Sequence, residues 1–432
     1  MRTIRWSTAI FMAFMGLVMT VFTGCTSLDE DSALLPQPSR VCPSLIPTSY
    51  TPEQQVKKDE VDLFLAGRYE EEGWVILETT QTCSGDIWDW LDSASVPGSE
   101  VEPPPLPDIE LPPGTELQLT ELDLNPELQG PPNSVPMLRP SFGPYVFGDV
   151  EASTVEDFIE SSVPSVPGLP QAQNRRYAGI NKVVPNLGVQ AYINAYNGKV
   201  EETIMSLLEI AVVCQGPDPA TTLELVGAAV SRDRRNFDAK VQPAPTRFQV
   251  EFMTAGETTV GPDKGGWHSL ALTGFTTLRN APYGPGVVLE TSEIGGGIKE
   301  AFLEIQNIAG TWWVLHNKRW IGYYRGEMFD MMGFEACVVH VYGEVFDATL
   351  ASWTSSDMGS GLFAEEGFGK AAYFRRPRYR DLAGTFQSPD GAMPATPNDP
   401  LCYTSSGLVV DPGLLFDGVF ASGPGGDSPG CN

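Results

Sequence analysis

The part of the chain after about residue 176 consists of short segments in which apolar residues alternate with polar residues or form brief apolar runs. Examples are VQAYINAYN, RFQVEFMTAG, TWWVLHN and RWIGYYRG. Turn-forming sequences such as GPDKGG and NAPYGPG separate these segments at intervals typical of short strands. No long amphipathic helix pattern interrupts the series. The pattern predicts an all-β domain of two packed antiparallel sheets, a β-sandwich, and leaves the strand order open.

The preceding region has a different pattern. The run EQQVKKDEVDLFLAGR, residues 53–68, has the spacing of a helix, and WVILETTQT alternates like a strand. The apolar positions of the helical run are Val56, Val61, Leu63 and Leu65. SVPGSEVEPPPLPDIELPPG and its continuation to about Pro144 have too many prolines for a helix or a central strand, which predicts an extended linker. A second such segment, SSVPSVPGLPQAQN, predicts a domain boundary open to proteolysis.

The first 24 residues have the pattern of an export signal. Arg2 and Arg5 precede nineteen uncharged, mostly apolar residues that end at Gly24. Cys25, which follows Phe-Thr-Gly, resembles the lipidated cysteine of a bacterial lipoprotein. We therefore expect the protein to be exported. Lipid attached to Cys25 would then anchor it in the cell envelope, at the outer membrane or cell surface. The stretch is also long enough to remain as an uncleaved membrane anchor, which is the alternative.

Acidic residues are unevenly distributed. The chain has 55 acidic and 27 basic residues and a net charge of -28. Residues 26–165 hold 27 acidic and 5 basic residues, whereas residues 166–432 hold 28 and 20, so two differently built regions are joined. This negative charge opposes nucleic-acid binding, which needs a basic surface. With three histidines and neither an HExxH nor a CxxC motif, we expect no metal site and no cofactor.

One block of the sequence closely resembles a known family. MGSGLFAEEGFGKAAYFR, residues 358–375, resembles the long signature of the neprosin family, which are secreted glutamic endopeptidases. Further blocks in the same order resemble the family too, among them VQAYINAYNGKVEE, GTWWVLHN, IGYYRGEMF and GEVFDA. The similarity covers roughly residues 176–380. Upstream, QTCSGDIWDWLD at 81–92 resembles a motif of the activation segment that precedes the peptidase domain in plant members.

The resemblance implies a domain organisation. The expected segments are a lipoprotein-type signal at 1–24, a tether at 25–50, an activation-peptide-like segment at 51–95, a proline-rich acidic linker at 96–173, the β-sandwich peptidase domain at 174–385 and a C-terminal extension at 386–432. The acidic region would then be a propeptide. A solvated stalk that holds the domain off the membrane is the alternative.

The resemblance also implies two glutamates that face each other in a cleft across one sheet. Two close carboxyl groups cannot both ionise, so one takes a proton from water while the other protonates the leaving nitrogen. By position, the first glutamate falls on Glu224 and the second on Glu344. His340, four residues upstream on the same strand face, is the alternative for the second position.

Four further residues are candidates for substrate binding: Asn194, Trp313, Tyr323 and Tyr324. Neighbouring residues of a strand point to opposite faces, so one tryptophan of Trp312-Trp313 faces the core and the other can face the cleft. A tyrosine hydroxyl can bond a substrate carbonyl. The paired acids Glu365 and Glu366 are expected to be solvated loop charges.

Seven cysteines are present, and six remain if Cys25 is lipidated, which allows up to three disulfides in an oxidising compartment. The resemblance implies a bridge between Cys402 and Cys431, and a second between Cys42 and Cys83 fits the propeptide. For Cys214 and Cys337, a bridge and two buried thiols both stay open.

These observations predict a secreted, lipid-anchored glutamic endopeptidase, made as a zymogen, that hydrolyses proline-containing peptides at acidic pH. Its partners would be a peptide or protein substrate and the membrane. The alternative is a noncatalytic surface-binding sandwich with a degenerate cleft. His340 keeps that alternative open, as do residues 225–227, where the family usually has Gly-Trp after the first glutamate.

Overall fold

The structure is a computed structural model that describes the larger part of the chain. The described residues are 35–45, 49–147, 153–160, 175–200, 204–218, 222–236, 244–256, 264–268, 274–347, 355–394, 400–413 and 416–431. The predicted signal, Cys25 and the proline-containing segment at 161–174 lie outside these ranges. Within them, no helix is both long enough and apolar enough to cross a membrane.

The region before residue 175 contains a small four-stranded sheet and helices. In chain order its elements are β1 Arg40–Val41, α1 Pro52–Glu72, β2 Ile76–Gln81, β3 Ile87–Asp92, α2 Glu121–Leu124, β4 Ser134–Leu138, α3 Gly143–Phe147 and α4 Val155–Glu160. The strands lie in the order β1-β2-β3-β4, with only the β1–β2 pair parallel.

The helix predicted from residue 53 is α1, and local chemistry fixes both of its ends. Thr51 caps the first turn in a capping box with Gln54, and Gly73 ends the helix in a left-handed conformation. Its buried residues are Val61, Leu65 and Tyr69, which lie four apart on one stripe. The other two apolar positions of the predicted run, Val56 and Leu63, are each 57% exposed.

The region from Arg175 to Ser422 is the predicted sandwich. Its strands are β5 Arg175–Asn186, β6 Gly188–Asn194, β7 Ile204–Gln215, β8 Leu223–Asp233, β9 Arg247–Met253, β10 Gly265–Trp267, β11 Thr276–Thr277, β12 Glu300–Ile308, β13 Thr311–His316, β14 Arg319–Arg325, β15 Ala336–Asp347, β16 Tyr373–Arg380, β17 Phe386–Gln387, β18 Met393–Pro394, β19 Thr404–Asp411 and β20 Phe416–Ser422.

These strands form two antiparallel sheets, which confirms the all-β prediction. One sheet has seven strands in the order β10-β9-β8-β7-β15-β5-β18. The other has nine, in the order β11-β14-β13-β12-β6-β16-β20-β19 with β17 beside β16. Strands β18, β19 and β20 come from the predicted C-terminal extension, so that segment completes the sandwich.

The core lies between the two sheets because alternate residues of each strand point inward. The seven-stranded sheet contributes Ile210, Val226 and Val250, among others. The nine-stranded sheet contributes residues such as Ile193 and Leu303. The remaining residues of each strand point to the two outer faces of the sandwich.

The N-terminal region covers both outer faces. On the seven-stranded sheet, Leu225 and Tyr342 belong to one apolar cluster with Leu65 of α1, Met137 of β4 and Phe158 of α4. On the nine-stranded sheet, part of the proline-rich segment lies against a cluster of aromatic residues. Residues 101–112 of the segment predicted as a linker have neither helix nor strand, as expected, and they pack along the sandwich. Further along the same predicted linker, α2, β4, α3 and α4 form, so the prediction of an extended linker is wrong there.

Three disulfides are present. Cys402–Cys431 is the bridge that the resemblance implied, and Cys42–Cys83 is the second expected pair. Cys214 and Cys337, whose state the sequence left open, are also bridged, and this bond joins β7 to β15.

Candidate active site

Three buried glutamates lie on the outer face of the seven-stranded sheet, on three different strands. Glu209 is on β7, Glu251 on β9 and Glu344 on β15, and each is at most 1% exposed. They point the same way because they occupy alternating positions in register across the sheet. We call this surface of β7, β8, β9 and β15 the glutamate face.

Glu209 and Glu251 meet across β8, the strand that separates them. Their carboxyl groups lie close enough for each to act on the pKa of the other. Oε1 of Glu209 and Oε2 of Glu251 are buried and have no hydrogen-bond partner among the described residues, so a proton held between the two groups would satisfy both. Gly227 of β8 makes the contact possible. A Cβ atom at that position would lie 1.8 Å from Oε1 of Glu209 and 2.8 Å from Cγ of Glu251. The absence of a side chain at Gly227 therefore leaves the space in which the carboxyl groups meet.

The pKa values of this pair are shifted upward. Burial raises the pKa of Glu209 to about 8. Burial also raises the pKa of Glu251 well above its ordinary value, and the adjacent Glu209 raises it further. The hydroxyl of Tyr342 donates a hydrogen bond to Oε2 of Glu209 at 2.8 Å. The pair therefore holds a proton that neither carboxyl group would keep alone in water at neutral pH.

Glu344 has a cationic partner. The guanidinium of Arg175, the first residue of β5, donates a hydrogen bond to Oε1 of Glu344, and both side chains are buried. Burial on its own would lower the pKa of Arg175, but the charge of Glu344, the hydrogen bond to it and the nearby Tyr177 and Glu251 together raise it. The same guanidinium acts on Glu209 and Glu251 and partly opposes the upward shift of their pKa values.

The structure does not bring Glu224 to Glu344, so the predicted pairing of these two residues is wrong. Glu224 is on β8, but its neighbour two positions along, Val226, faces the core, whereas Glu344 faces outward with Tyr342. The carboxylate of Glu224 accepts hydrogen bonds from the backbone N–H groups of three consecutive loop residues, Asp330, Met331 and Met332, at 2.7–3.1 Å. Glu224 thus holds the loop before β15 in place.

His340 lies on the glutamate face as well, two residues before Tyr342 on β15. It is 5% exposed, and burial lowers its pKa to about 4. The imidazole is therefore neutral at any pH above about 5. Of the two alternatives for the second catalytic position, only Glu344 carries a carboxylate and an ion-pair partner.

The Neprosin family model matches residues 249–415, a range that begins in β9 and ends after β19. The chain carries a Neprosin domain. This match confirms the family predicted from the sequence and, with it, the class of glutamic-type peptidases. Of the three glutamates on the glutamate face, Glu251 and Glu344 lie inside the matched range.

Solved structures with a weak likeness to this chain include two peptidases. Scytalido-glutamic peptidase in complex with a peptide-based transition state analog has 8% identity and a TM-score of 0.31, covering 58% of this chain and 98% of that one. SCP-B, a member of the Eqolisin family in complex with the tripeptide Ala-Ile-His, has 7% identity and a TM-score of 0.29, over the same shares. Likenesses of this size support no conclusion about the chain.

The four predicted substrate-binding residues do not lie on the glutamate face. Trp313 and Tyr323 belong to the aromatic cluster on the outer face of the nine-stranded sheet, whereas Tyr324 faces the core. Asn194 accepts a hydrogen bond from the backbone N–H of Tyr373 at 2.7 Å, so it joins β6 to β16. Glu365 and Glu366 are exposed in a loop, as expected.

Sequence reasoning missed Glu209, Glu251, Gly227 and Arg175. Each glutamate is a single charged residue inside an apolar strand, in IMSLLEIAVVC and in RFQVEFM. A lone carboxyl group in a fully buried strand is costly unless it is paired, so that pattern was the available signal. Which carboxyl groups pair depends on strand register, and periodicity does not supply register.

Proposed function

We propose that this chain is a glutamic endopeptidase in which Glu209 and Glu251 form the catalytic pair. The observation that carries the proposal is the close approach of two buried carboxyl groups above Gly227, both with raised pKa values. It is the arrangement that metal-free amide hydrolysis needs, and the chain has it on different residues from those that sequence position indicated. Glu344 and Arg175 complete the charge balance around the pair.

The chemistry follows from one shared proton. The ionised carboxylate takes a proton from a water molecule as that water attacks the carbonyl carbon of the scissile bond. The neutral carboxyl group gives its proton to the amide nitrogen as the carbon–nitrogen bond breaks, which leaves a free carboxyl and a free amine. Tyr342 fixes the orientation of Glu209 by its hydrogen bond. While the pair is buried, its raised pKa values keep both carboxyl groups protonated at acidic pH. Our proposal that the enzyme works at acidic pH therefore requires that exposure to water lowers these pKa values until one of the two groups ionises.

Access to the pair requires that the N-terminal region moves. The glutamates are covered by the cluster that α1, β4, α3 and α4 form with the sheet, and Arg247 of β9 makes two hydrogen bonds to Asp86 at 2.7 and 2.8 Å. The chain is therefore proposed to be a zymogen whose propeptide ends near residue 173. Cleavage before Arg175 would leave its ion pair with Glu344 in the mature enzyme, whereas cleavage after Arg175 would remove it.

Other parts of the proposal come from the sequence alone. They are a preference for proline-containing substrates, export through the signal, and anchoring by lipid at Cys25. Changing Cys25 to serine should release the protein from membranes or leave its signal uncleaved, because lipid and not protein surface would hold it there. Unchanged membrane association with a cleaved signal would refute lipidation.

The decisive experiment measures hydrolysis of a quenched proline-containing peptide at pH 4–5 by the full chain. Sequencing of new amino termini follows activation in the same samples. Glu209→Gln and Glu251→Gln should each abolish cleavage, because an amide cannot share or transfer the proton. Glu224→Gln is the matched control, since it changes a buried glutamate of the same sheet that points to the other side. The fraction of the Glu224→Gln protein that folds should keep its peptidase activity.

Full activity in Glu209→Gln and Glu251→Gln would overturn the assignment. If the unaltered chain stayed inactive after the propeptide had been removed, the noncatalytic binding module would be the better description.

A further inference from the structure

We propose that the outer face of the nine-stranded sheet is a second binding site, for acidic, proline-rich peptide segments, and that residues 98–118 occupy it in cis. The inference rests on the proposed peptidase function, because it names a class of substrate that this face would hold away from the scissile bond. We call the surface the aromatic face. It consists of Tyr192, Phe302, Trp313, Trp320 and Tyr323.

The rings of the aromatic face form one contiguous layer. Tyr192 and Phe302 are directly opposite on β6 and β12, with ring centroids 4.8 Å apart. The ring centroid of Trp313 lies 4.9 Å from that of Tyr323 and 6.0 Å from that of Trp320. With residues 98–118 in place, each of the five rings is at most 6% exposed. Rings of this size would form a large apolar patch if the segment left.

The sheet holds the segment mainly through the backbone of the segment. The hydroxyl of Tyr323 donates to the carbonyl of Gly98 at 3.1 Å, and that of Tyr192 to the carbonyl of Glu110 at 2.9 Å. At the far end, the N–H of Glu300 donates to the carbonyl of Glu116 at 2.9 Å. Proline keeps its carbonyl group although it lacks an N–H, so these contacts accept proline-rich sequences.

Side chains of the segment add apolar and charged contacts. Ile109 and Leu117 pack against the aromatic cluster. Glu110 lies 3.6 Å from Arg376, and Glu116 forms an ion pair with Lys299. The acidic residues of the segment thus contact basic residues at the aromatic face. A peptide that binds there is therefore expected to be acidic as well.

The geometry is that of a peptide lying on a surface. Residues 101–112 have neither helix nor strand, and most of their outward surface is exposed, as with Leu106 at 55%. Consecutive prolines hold such a segment extended, which lowers the entropy lost on binding. Because the segment precedes the proposed cleavage site, it leaves with the propeptide and frees the face.

Direct binding tests the proposal without any cleavage. In the full chain, Ile109→Ser with Thr115→Ala removes an apolar contact and the hydrogen bond from Arg375, and so loosens the segment. A fluorescein-labelled peptide with the sequence of residues 98–118 is then titrated and followed by anisotropy. We expect saturable binding, and binding at least tenfold weaker for the same peptide with every proline replaced by alanine.

Single hydroxyl groups locate the site. Adding Tyr192→Phe to the loosened chain should weaken binding about fivefold, because it removes one hydrogen bond to the peptide backbone. Tyr379→Phe is the matched control, because Tyr379 is on β16 of the same sheet but packs against the core cluster, so loss of its hydroxyl should leave affinity unchanged. Absence of saturable binding, equal affinity for the alanine peptide, or no effect of Tyr192→Phe would each overturn the proposal.

Two further outcomes are also decisive. A loosened chain that elutes as a dimer without peptide would show that a second copy occupies the face, and the proposal would be wrong. If the loosened chain did not fold, the unaltered chain would be titrated with peptide above the millimolar effective concentration of its own tethered segment, with the same expected ratios. Loss of peptidase activity has no bearing on these measurements, so the two proposals fail separately.

Discussion

The glutamate face and the aromatic face arise from the same alternation of residues on two sheets of one sandwich, yet they are built and covered differently. A small folded unit with its own sheet and helices covers the glutamate face, and the Arg247–Asp86 ion pair ties it down. A single extended segment, within residues 98–118, covers the aromatic face. The glutamate face therefore keeps charged groups away from water, whereas the aromatic face holds a peptide segment.

The two faces also treat buried carboxyl groups differently. On the glutamate face, Glu209 and Glu251 lie against each other and both have raised pKa values, and Glu344 forms an ion pair with Arg175. On the outer side of the nine-stranded sheet, Glu300 is paired with Arg375 and with the hydroxyl of Tyr373. Glu304 lies nearby, and neither of its oxygens has a hydrogen-bond partner in the part of the chain that the structure describes. Substitutions at four positions test this difference between the two faces.

The largest effect is expected at Gly227. Gly227→Ala places a Cβ atom where the two carboxyl groups meet, so we expect at least a hundredfold loss of activity and about 2–3 kcal/mol of stability. Adding Glu209→Ala should restore stability but not activity, because it makes room and removes the pair. Gly67→Ala in α1, where a Cβ atom meets nothing within 4 Å, is the control and should not destabilise. Wild-type activity in Gly227→Ala would remove the basis for the catalytic pair.

A stability effect is next, at Glu344. Glu344→Gln leaves the buried guanidinium of Arg175 without its counter-charge, which should cost about 3 kcal/mol in the free energy of unfolding. Denaturant titration measures it. The double change Arg175→Met with Glu344→Met should recover most of that loss, since it leaves no isolated charge. If the single and double variants were equally destabilised, the ion pair would not be the cause.

Glu304 should give the chain a pH dependence that comes from the other sheet. Burial raises its pKa to about 7 in the folded chain, so the folded state binds a proton that the unfolded state has released. The stability that this proton adds is complete below about pH 4.5 and is lost as the pH rises through about 7. Relative to wild type, Glu304→Gln should therefore gain up to roughly 3 kcal/mol between pH 4.5 and 8. A constant difference across that range would contradict the shift.

The smallest effect is expected at the edge of the aromatic face. Arg376 is partly exposed and lies 3.6 Å from Glu110, which is almost fully exposed. An ion pair of this kind contributes little, so Arg376→Ala should change the free energy of unfolding by less than about 0.5 kcal/mol, and less still in high salt. A loss above about 1 kcal/mol would mean that Arg376, through the ion pair and its hydrogen bond to the backbone carbonyl of Glu110, does more to hold the segment than an exposed ion pair can.

Many of the secondary-structure elements could be predicted from the sequence. The alternation in segments such as RFQVEFM and TWWVLH predicted strands that the structure contains, and proline content predicted an extended segment near residues 101–112. The helix α1 was also visible, because its capping box and terminal glycine are local signals. Its buried stripe was only half right, since Val56 and Leu63 face water and Tyr69 does not.

The candidate site was less predictable, and Glu224 shows the reason. In sequence it is a glutamate at the expected position of a family pattern, and nothing local distinguishes it from Glu209 or Glu251. Its role was decided by parity along β8, which turns it toward the core side, and by a loop more than 100 residues away whose three N–H groups need an acceptor.

Sequence by itself determined the properties that local chemistry controls: the β texture, the family of the sandwich, the helix ends and the acidic, proline-rich composition of the N-terminal region. Tertiary structure alone decided which glutamates meet, that Gly227 gives them space, that Arg175 neutralises Glu344, and that Trp313 and Tyr323 lie on a different sheet from the carboxyl pair. The physical reason is that strand register and sheet order bring together side chains from distant strands. A shift of one residue in any strand would turn its side chains to the opposite face.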